Sequence, residues 1–197
     1  NASETIERYN ARSLDTPVSG LFYFDSEIAG FVFRFCIDDN YLYRVAILDI
    51  KQNGTDEHDC KPFADCKTLK ECKSGSGAFY LSGMIEKQLG LYFSGKEMRF
   101  DLPLALNGTS FQKKIWKAMV EIPYGSVVSY KRLAELAGFP GASTARAAAG
   151  ACRANRIPLV IPCHRVIASD GSIGVYSGNE KRIDIKRRLL ETEGVVF

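Results

Sequence analysis

Cys163 and His164 stand side by side in PLVIPCHRVIASDG (158–171), behind an apolar run and ahead of Arg165. The thiolate is the nucleophilic form of cysteine, and a nearby imidazole can take the thiol proton. Neighbouring side chains of an extended strand point to opposite faces, so adjacency alone does not join the pair. Contact requires a turn at this point or a bridging water. A histidine working as a base also needs a carboxylate to orient it. Glu191 and Glu193 are the close-following glutamates outside the Glu180 loop. The competing reading is that Cys163 is a buried, inert small hydrophobe.

The elements around the pair must position it. Ile157 to Ile161 reads as a short apolar strand that delivers Pro162, Cys163, His164 and Arg165. Upstream, the pattern predicts a helix over Tyr130 to Leu136, broken by Gly138 and Pro140, and a second from Ser143 or Thr144 to about Ala154. Two short helices joined by a Gly/Pro turn match a helix-turn-helix. The second is nearly bare: Ala145, Ala147, Ala148, Ala149, Gly150 and Ala151 leave Arg146 and Arg153 as its long side chains. Small residues serve tight helix packing, but they also let a backbone approach another surface closely. Arg146 within the stretch argues for a nucleic-acid groove, because a core would leave that charge unpaired. Further upstream, Thr109 and Gln112 fit a capping box, and Phe111, Ile115, Trp116, Met119 and Val120 form an apolar face with the lone Trp in the core.

Residues 18–48 hold three β-rich runs, SGLFYFDS, GFVFRFC and YLYRVAILDI, separated by Gly and Asp/Asn breaks as in an antiparallel meander. Residues 49–78 are polar and read as a long surface insertion. Phe79, Leu81, Met84, Ile85, Leu89, Tyr92 and Phe93 recur at helical spacing, and residues 95–108 read as a linker. The expected organisation is α+β with two domains: 1–105, and 106–197 carrying the catalytic and DNA-binding residues.

The formal net charge of +3 hides an asymmetry. Residues 1–110 carry 12 Lys+Arg against 16 Asp+Glu, net −4, and residues 111–197 carry 14 against 7, net +7. A basic half suits an anionic partner, nucleic acid being the common case, although a solvated basic face would look the same. No run of about 18 uncharged apolar residues occurs, which argues against a membrane partner. Six cysteines are too few for a disulfide scaffold, so an intracellular protein with reduced thiols is expected, in nucleus or cytoplasm.

IPCHRVI with the following GSIGVYSG, preceded by VVSYKRLAELAG and ARAAAGACRANRIP, resembles the O6-alkylguanine-DNA alkyltransferases. The likeness is dense from about Phe111 to Gly178 and resumes at IKRRLLETEG; before that it is loose. The resemblance implies an N-terminal ribonuclease-H-like domain of three antiparallel strands and a helix. The C-terminal domain would be mostly helical, with a helix-turn-helix and a short active-site strand. It implies direct-reversal repair, in which the alkyl group of O6-alkylguanine, and less readily O4-alkylthymine, moves once to the protein's own cysteine after base flipping. Cys163 would be the acceptor and His164 the base acting through a water, oriented by Glu193. Asn155 would tie the recognition helix to the active-site strand, and Tyr130 would help rotate the nucleotide and donate to the guanine ring. Pro158 and Tyr176 would line the alkyl pocket, Val166 backbone and Ser177 would meet the guanine edge, and Lys186 would lie close by. Arg146 would fill the gap left by the flipped base, with Ala145, Ala147, Gly150, Arg153 and Ser129 on the DNA. The partner would be double-stranded DNA held through the minor groove by a monomer, with no dissociable cofactor.

The chain departs from the family at Asn179, where a Gly is usual, and carries about three extra residues before the last helix, which bears on the alkyl range. Cys60, Cys66 and Cys72 recur every six residues with His58 nearby, but the spacing is not the usual C-x2-C zinc pattern. A structural zinc there ranks below a loop with unpaired thiols, and a disulfide within the loop ranks about level with zinc. Three rivals remain. A lesion sensor without chemistry would lack the acceptor cysteine, which is present. A transcription regulator would read the major groove with polar side chains, which the alanine-rich helix does not offer. A cysteine hydrolase would need an oxyanion hole, for which there is no signal.

Overall fold

The computed structural model describes residues 20–48, 66–96, 99–141, 143–174, 176 and 182–196, and the chain divides into two compact units that part between Asn107 and Gly108.

In the first unit the three β-rich runs form β1 (Phe22–Ile28), β2 (Phe31–Ile37) and β3 (Leu42–Leu48), each antiparallel to the next. Ala29 and Gly30 close the first hairpin at φ 52° and 74°, the left-handed pair that suits a two-residue turn. Alternation along β2 buries Phe33, Phe35 and Ile37 on one face. Helix α1 (Gly77–Phe93) packs on β1 and β2, with the Phe93 ring 5.7 Å from Phe31 and 5.8 Å from Phe33. The buried face of α1 is Ala78, Leu81, Ser82, Ile85, Leu89 and Tyr92; Phe79 and Met84 from the expected apolar set are 50% and 45% exposed.

Two features differ from expectation. The sheet has a fourth strand, β4 (Lys67–Thr68), parallel to β1, giving the order β3-β2-β1-β4 rather than three strands. Two residues are too few for an alternating pattern to register. The polar stretch 49–78 therefore ends in structure. Residues 49–65, with Cys60 and His58, lie outside the described residues, whereas Leu69–Glu71 form a 3-10 turn and Ser76 caps α1 by accepting from the Phe79 amide. The segment read as a linker also packs. Phe100, Leu102, Leu104 and Leu106 are buried, Leu42 donates to the Pro103 carbonyl at 2.8 Å, and its own carbonyl accepts from Ala105 at 2.9 Å. Its apolar residues recur every second position, a strand period obscured by Pro103.

The second unit contains α2 (Ser110–Val120), β5 (Val128–Ser129), α3 (Tyr130–Leu136), α4 (Thr144–Arg153), a 3-10 turn over Cys163–Arg165, β6 (Val166–Ile167) and α5 (Ile183–Thr192). The capping box forms: Thr109 N donates to Gln112 Oε1 at 2.9 Å and Gln112 N to Thr109 Oγ1 at 3.2 Å. Ile115, Trp116, Met119 and Val120 are buried, while Phe111 is half-buried against the Phe139 ring. Trp116 Nε1 donates to the Ala151 carbonyl at 2.8 Å, tying α2 to α4. Gly108 is needed beside that indole, since a Cβ there would sit 2.5 Å from Trp116 Cη2. The small residues of α4 fall on two faces. Ala148, Ala151 and Cys152 are buried, and Arg146, Ala147, Gly150 and Arg153 form an exposed face. Among the described residues no helix is long and apolar enough to cross a membrane.

Candidate active site

The segment before the cysteine is not a strand. Residues 157–166 are all buried, as a strand reading requires, but the backbone folds on itself: Ile161 N donates to the Ile157 carbonyl at 2.9 Å, and Leu159 takes φ +74°. An apolar run of this length does not distinguish a buried strand from a buried turn. A left-handed Leu costs on the order of 1–3 kcal/mol and persists only where its surroundings over-determine it. Asn155, at the end of α4, supplies that constraint. Its Oδ1 accepts from the Ile157 amide at 3.0 Å and its Nδ2 donates to the Ile161 carbonyl at 2.8 Å. One buried side chain thus links the end of α4 to the turn that presents the cysteine.

Cys163, His164 and Arg165 occupy successive positions of the 3-10 turn, and all three are buried. In such a turn consecutive side chains do not alternate between two opposite faces as they do along a strand. It is followed by β6, which pairs in parallel with β5, Val128 opposite Val166. His164 Nε2 lies 2.8 Å from Glu193 Oε1, with both side chains fully buried. Glu191, the alternative partner, is exposed.

Arg165, for which the sequence suggested no role, holds the carboxylate from the other side. Its Nε reaches Glu193 Oε1 and Oε2 at 3.1 and 2.9 Å, its Nη2 reaches Oε1 at 2.8 Å, and its Nη1 donates to the Ile122 carbonyl at 2.8 Å. Gly125 N adds a hydrogen bond to Glu193 Oε2 at 3.0 Å. Gly125 has φ +72°, and a Cβ there would come within 2.9 Å of the Glu193 carbonyl, so glycine is required twice over. The Pro123–Tyr124–Gly125 run is the one local signal for this contact, and it lies 68 residues from its partner.

These contacts set the charges. Burial alone would raise the Glu193 carboxyl, but the His164 hydrogen bond and the Arg165 guanidinium outweigh it and hold the group well below the usual carboxylate range. Burial pushes His164 below its ordinary value, and the pull of Glu193 does not overcome it. The imidazole is therefore neutral, with Nε2–H donating to the carboxylate and the Nδ1 lone pair free to accept. Nδ1 is buried and has no hydrogen-bond partner among the described residues. Burial also raises the Cys163 thiol, while the Asn155 side chain, the Lys186 ammonium and the Tyr176 hydroxyl favour the thiolate. Lys186 is itself fully buried and pushed down to about 8 by desolvation; its Nζ donates to the Val166 and Ile173 carbonyls, both at 2.6 Å. Tyr130, the first residue of α3, is pushed up to about 12, chiefly by burial, and so keeps its proton.

The remaining expected residues distribute as follows. Pro158 and Tyr176 are buried. The Val166 carbonyl accepts from Lys186. Ser129 caps α3, its Oγ accepting from the Arg132 amide at 3.1 Å. Arg146, Ala147, Gly150 and Arg153 are exposed and Ala145 is half-buried. Ser177 lies outside the described residues. Of the two zinc candidates that are described, Cys66 lies 3.1 Å from Cys36 Sγ and Cys72 lies 2.7 Å from Ser76 Oγ, sulfur and hydroxyl neighbours that do not make a ligand set.

A family model described as the DNA-binding domain of 6-O-methylguanine DNA methyltransferase matches residues 110–195. A methylated-DNA–protein-cysteine methyltransferase of Methanosarcina barkeri is 50% identical over 107 residues, 54% of this chain and 65% of its own length. One from Mycobacterium bovis is 46% identical over 117 residues, 59% of this chain and 66% of its own length. The matches thus span just under two thirds of these relatives. Among solved structures, Mycobacterium tuberculosis OGT in complex with DNA is similar with a TM-score of 0.66 and 32% identity, over 87% of this chain and 92% of that one. An O6-methylguanine-DNA methyltransferase from Pyrococcus kodakaraensis gives 0.60 at 25% identity, over 89% and 99%.

Proposed function

This chain belongs to the O6-methylguanine-DNA methyltransferase family, and from that premise we propose that it repairs O6-alkylguanine in double-stranded DNA by taking the alkyl group onto Cys163. The observation that carries the reading is the buried turn that sets Cys163 beside a neutral His164 locked to Glu193. His164 Nδ1 takes the thiol proton through a water, and the sulfur attacks the alkyl carbon in line. The S–C bond forms as the C–O6 bond breaks, and its electron pair leaves with the guanine. Tyr130, held protonated by its burial, donates to the departing ring. The thioether has no further step to release it, so each molecule acts once and no cofactor takes part.

Reaching a buried sulfur requires the lesion to leave the stack. The exposed face of α4 supports a helix-turn-helix reading of α3 and α4 that enters the minor groove. Ala147 and Gly150 offer no bulk, and no atom lies within 4 Å of a Cβ built at Gly150. Arg146, on the same face, would occupy the vacated position in the duplex and offset part of the unstacking cost, a few kcal/mol. Pro158, Tyr176, Val166 and Ser177 would line the pocket, with Lys186 holding its floor through the Val166 and Ile173 carbonyls.

Intact-mass measurement after mixing with a duplex containing O6-methylguanine tests the proposal. A gain of one methyl mapped to Cys163, absent in Cys163→Ala, is expected. No mass change in a protein that still binds the duplex would overturn it.

A further inference from the structure

We propose that Cys36 and Cys66 are a redox modification site, closing to a reversible disulfide under a peroxide-class oxidant. Cys36 lies on β2 between Phe35 and Ile37, whose side chains are fully buried on the α1 side of the sheet. Strand alternation sends Cys36 to the opposite face. There it joins Ala46 and Leu48 in a small apolar cluster, flanked by Leu21, Tyr23, Val32, Tyr43 and Cys66. Cys66 arrives from 30 residues away, immediately before β4, where Lys67 N donates to the Leu21 carbonyl at 2.9 Å and fixes the approach. The two sulfurs lie 3.1 Å apart, and both thiols are free. Bond formation needs them to close by about 1 Å, to roughly 2.05 Å.

The accessibility of the two thiols orders the steps. Cys66 is half-buried, whereas Cys36 is 3% exposed, so an oxidant meets Cys66 first. The Cys66 thiolate attacks a peroxide oxygen, the O–O bond breaks, and Cys66 becomes a sulfenic acid as one water leaves. Cys36 sulfur then attacks Cys66 sulfur, the S–O bond breaks, and the Cys36 proton departs in a second water. Two thiols lose two electrons to one hydrogen peroxide, and a dithiol reverses the step by exchange. Burial and the neighbouring sulfur push the Cys36 thiol up, which keeps it protonated until the sulfenic acid forms beside it. The bond would tie β2 to the lead-in of β4 across β1 and enclose residues 37–65, restricting the unfolded chain.

The test uses the full chain treated with hydrogen peroxide and mapped by tandem mass spectrometry without reduction. The expected result is the Cys36 peptide joined to the Cys66 peptide with loss of two hydrogens, reversed by dithiothreitol, and an apparent Tm several degrees above the reduced protein. Cys66→Ser, a change at a half-buried site, should lose both effects, and Cys60→Ser should keep both. Cross-links from Cys66 to Cys60 or Cys72, or sulfenic and sulfinic acids with no cross-link, would overturn the proposal.

Discussion

Arg165→Met removes the cation that holds Glu193. Three contacts of 2.8 to 3.1 Å join the two side chains, which are 6% and 0% exposed, and a fourth bond reaches the Ile122 carbonyl. Removing one partner of a buried pair strands the other charge, at about 3–5 kcal/mol. Urea unfolding followed by the single tryptophan, Trp116, reads that loss in the unit that contains the site. The double variant Arg165→Met, Glu193→Gln leaves no stranded charge, and its single amide oxygen keeps one of the two acceptor positions used by His164 and Gly125. It should be less destabilised than the sum of the single changes by about 1–3 kcal/mol. A purely structural role would stop there. Arg165 also offsets the field of Glu193 at His164, lowering the imidazole further. Without it the His164 pKa rises, and the acid limb of alkyl transfer moves to higher pH. That profile is measurable by intact mass with a free benzylated guanine from about pH 5 to pH 9. A loss below about 1 kcal/mol together with an unmoved acid limb would refute the reasoning.

Asn155→Ala should cost about 2–4 kcal/mol, because the Ile157 amide and Ile161 carbonyl each lose a buried partner; urea midpoints and the transfer rate to Cys163 check it. Asn155→Asp keeps the acceptor but sets a carboxylate against the Ile161 carbonyl, and should slow transfer more than Ala does. The Lys186 proton gives a signed pH effect. The unfolded chain keeps that proton to about pH 10.4, whereas the folded protein releases it at about 8. Between those values the unfolded state binds more protons, so Lys186 makes stability rise with pH; wild type should gain about 3 kcal/mol relative to Lys186→Met across the window. Arg146→Ala should slow repair of O6-methylguanine in a duplex by about tenfold while leaving reaction with free benzylated guanine nearly unchanged. Equal loss on both substrates would remove Arg146 from the base-flipping step.

Local chemistry was readable from the residues themselves. The Thr109–Gln112 box, the α3 span Tyr130–Leu136 and the three antiparallel strands follow from caps, breakers and alternation within a few residues. The Cys-His pair and the order of motifs around it pointed to Cys163 and His164 as candidates for nucleophile and base, and to the likeness to the repair alkyltransferases. Contacts between distant segments were not readable. Nothing near residue 165 says that its guanidinium meets Glu193, or that Gly125 must be glycine to let Glu193 in. The run Ile157–Ile161 became a left-handed turn rather than a strand because Asn155 clamps it, and an apolar pattern reports burial but not the path of the backbone. Residue types and their spacing determined which chemistry this chain carries. Tertiary structure decided which charges face one another, because Coulomb and hydrogen-bond energies depend on separation in space.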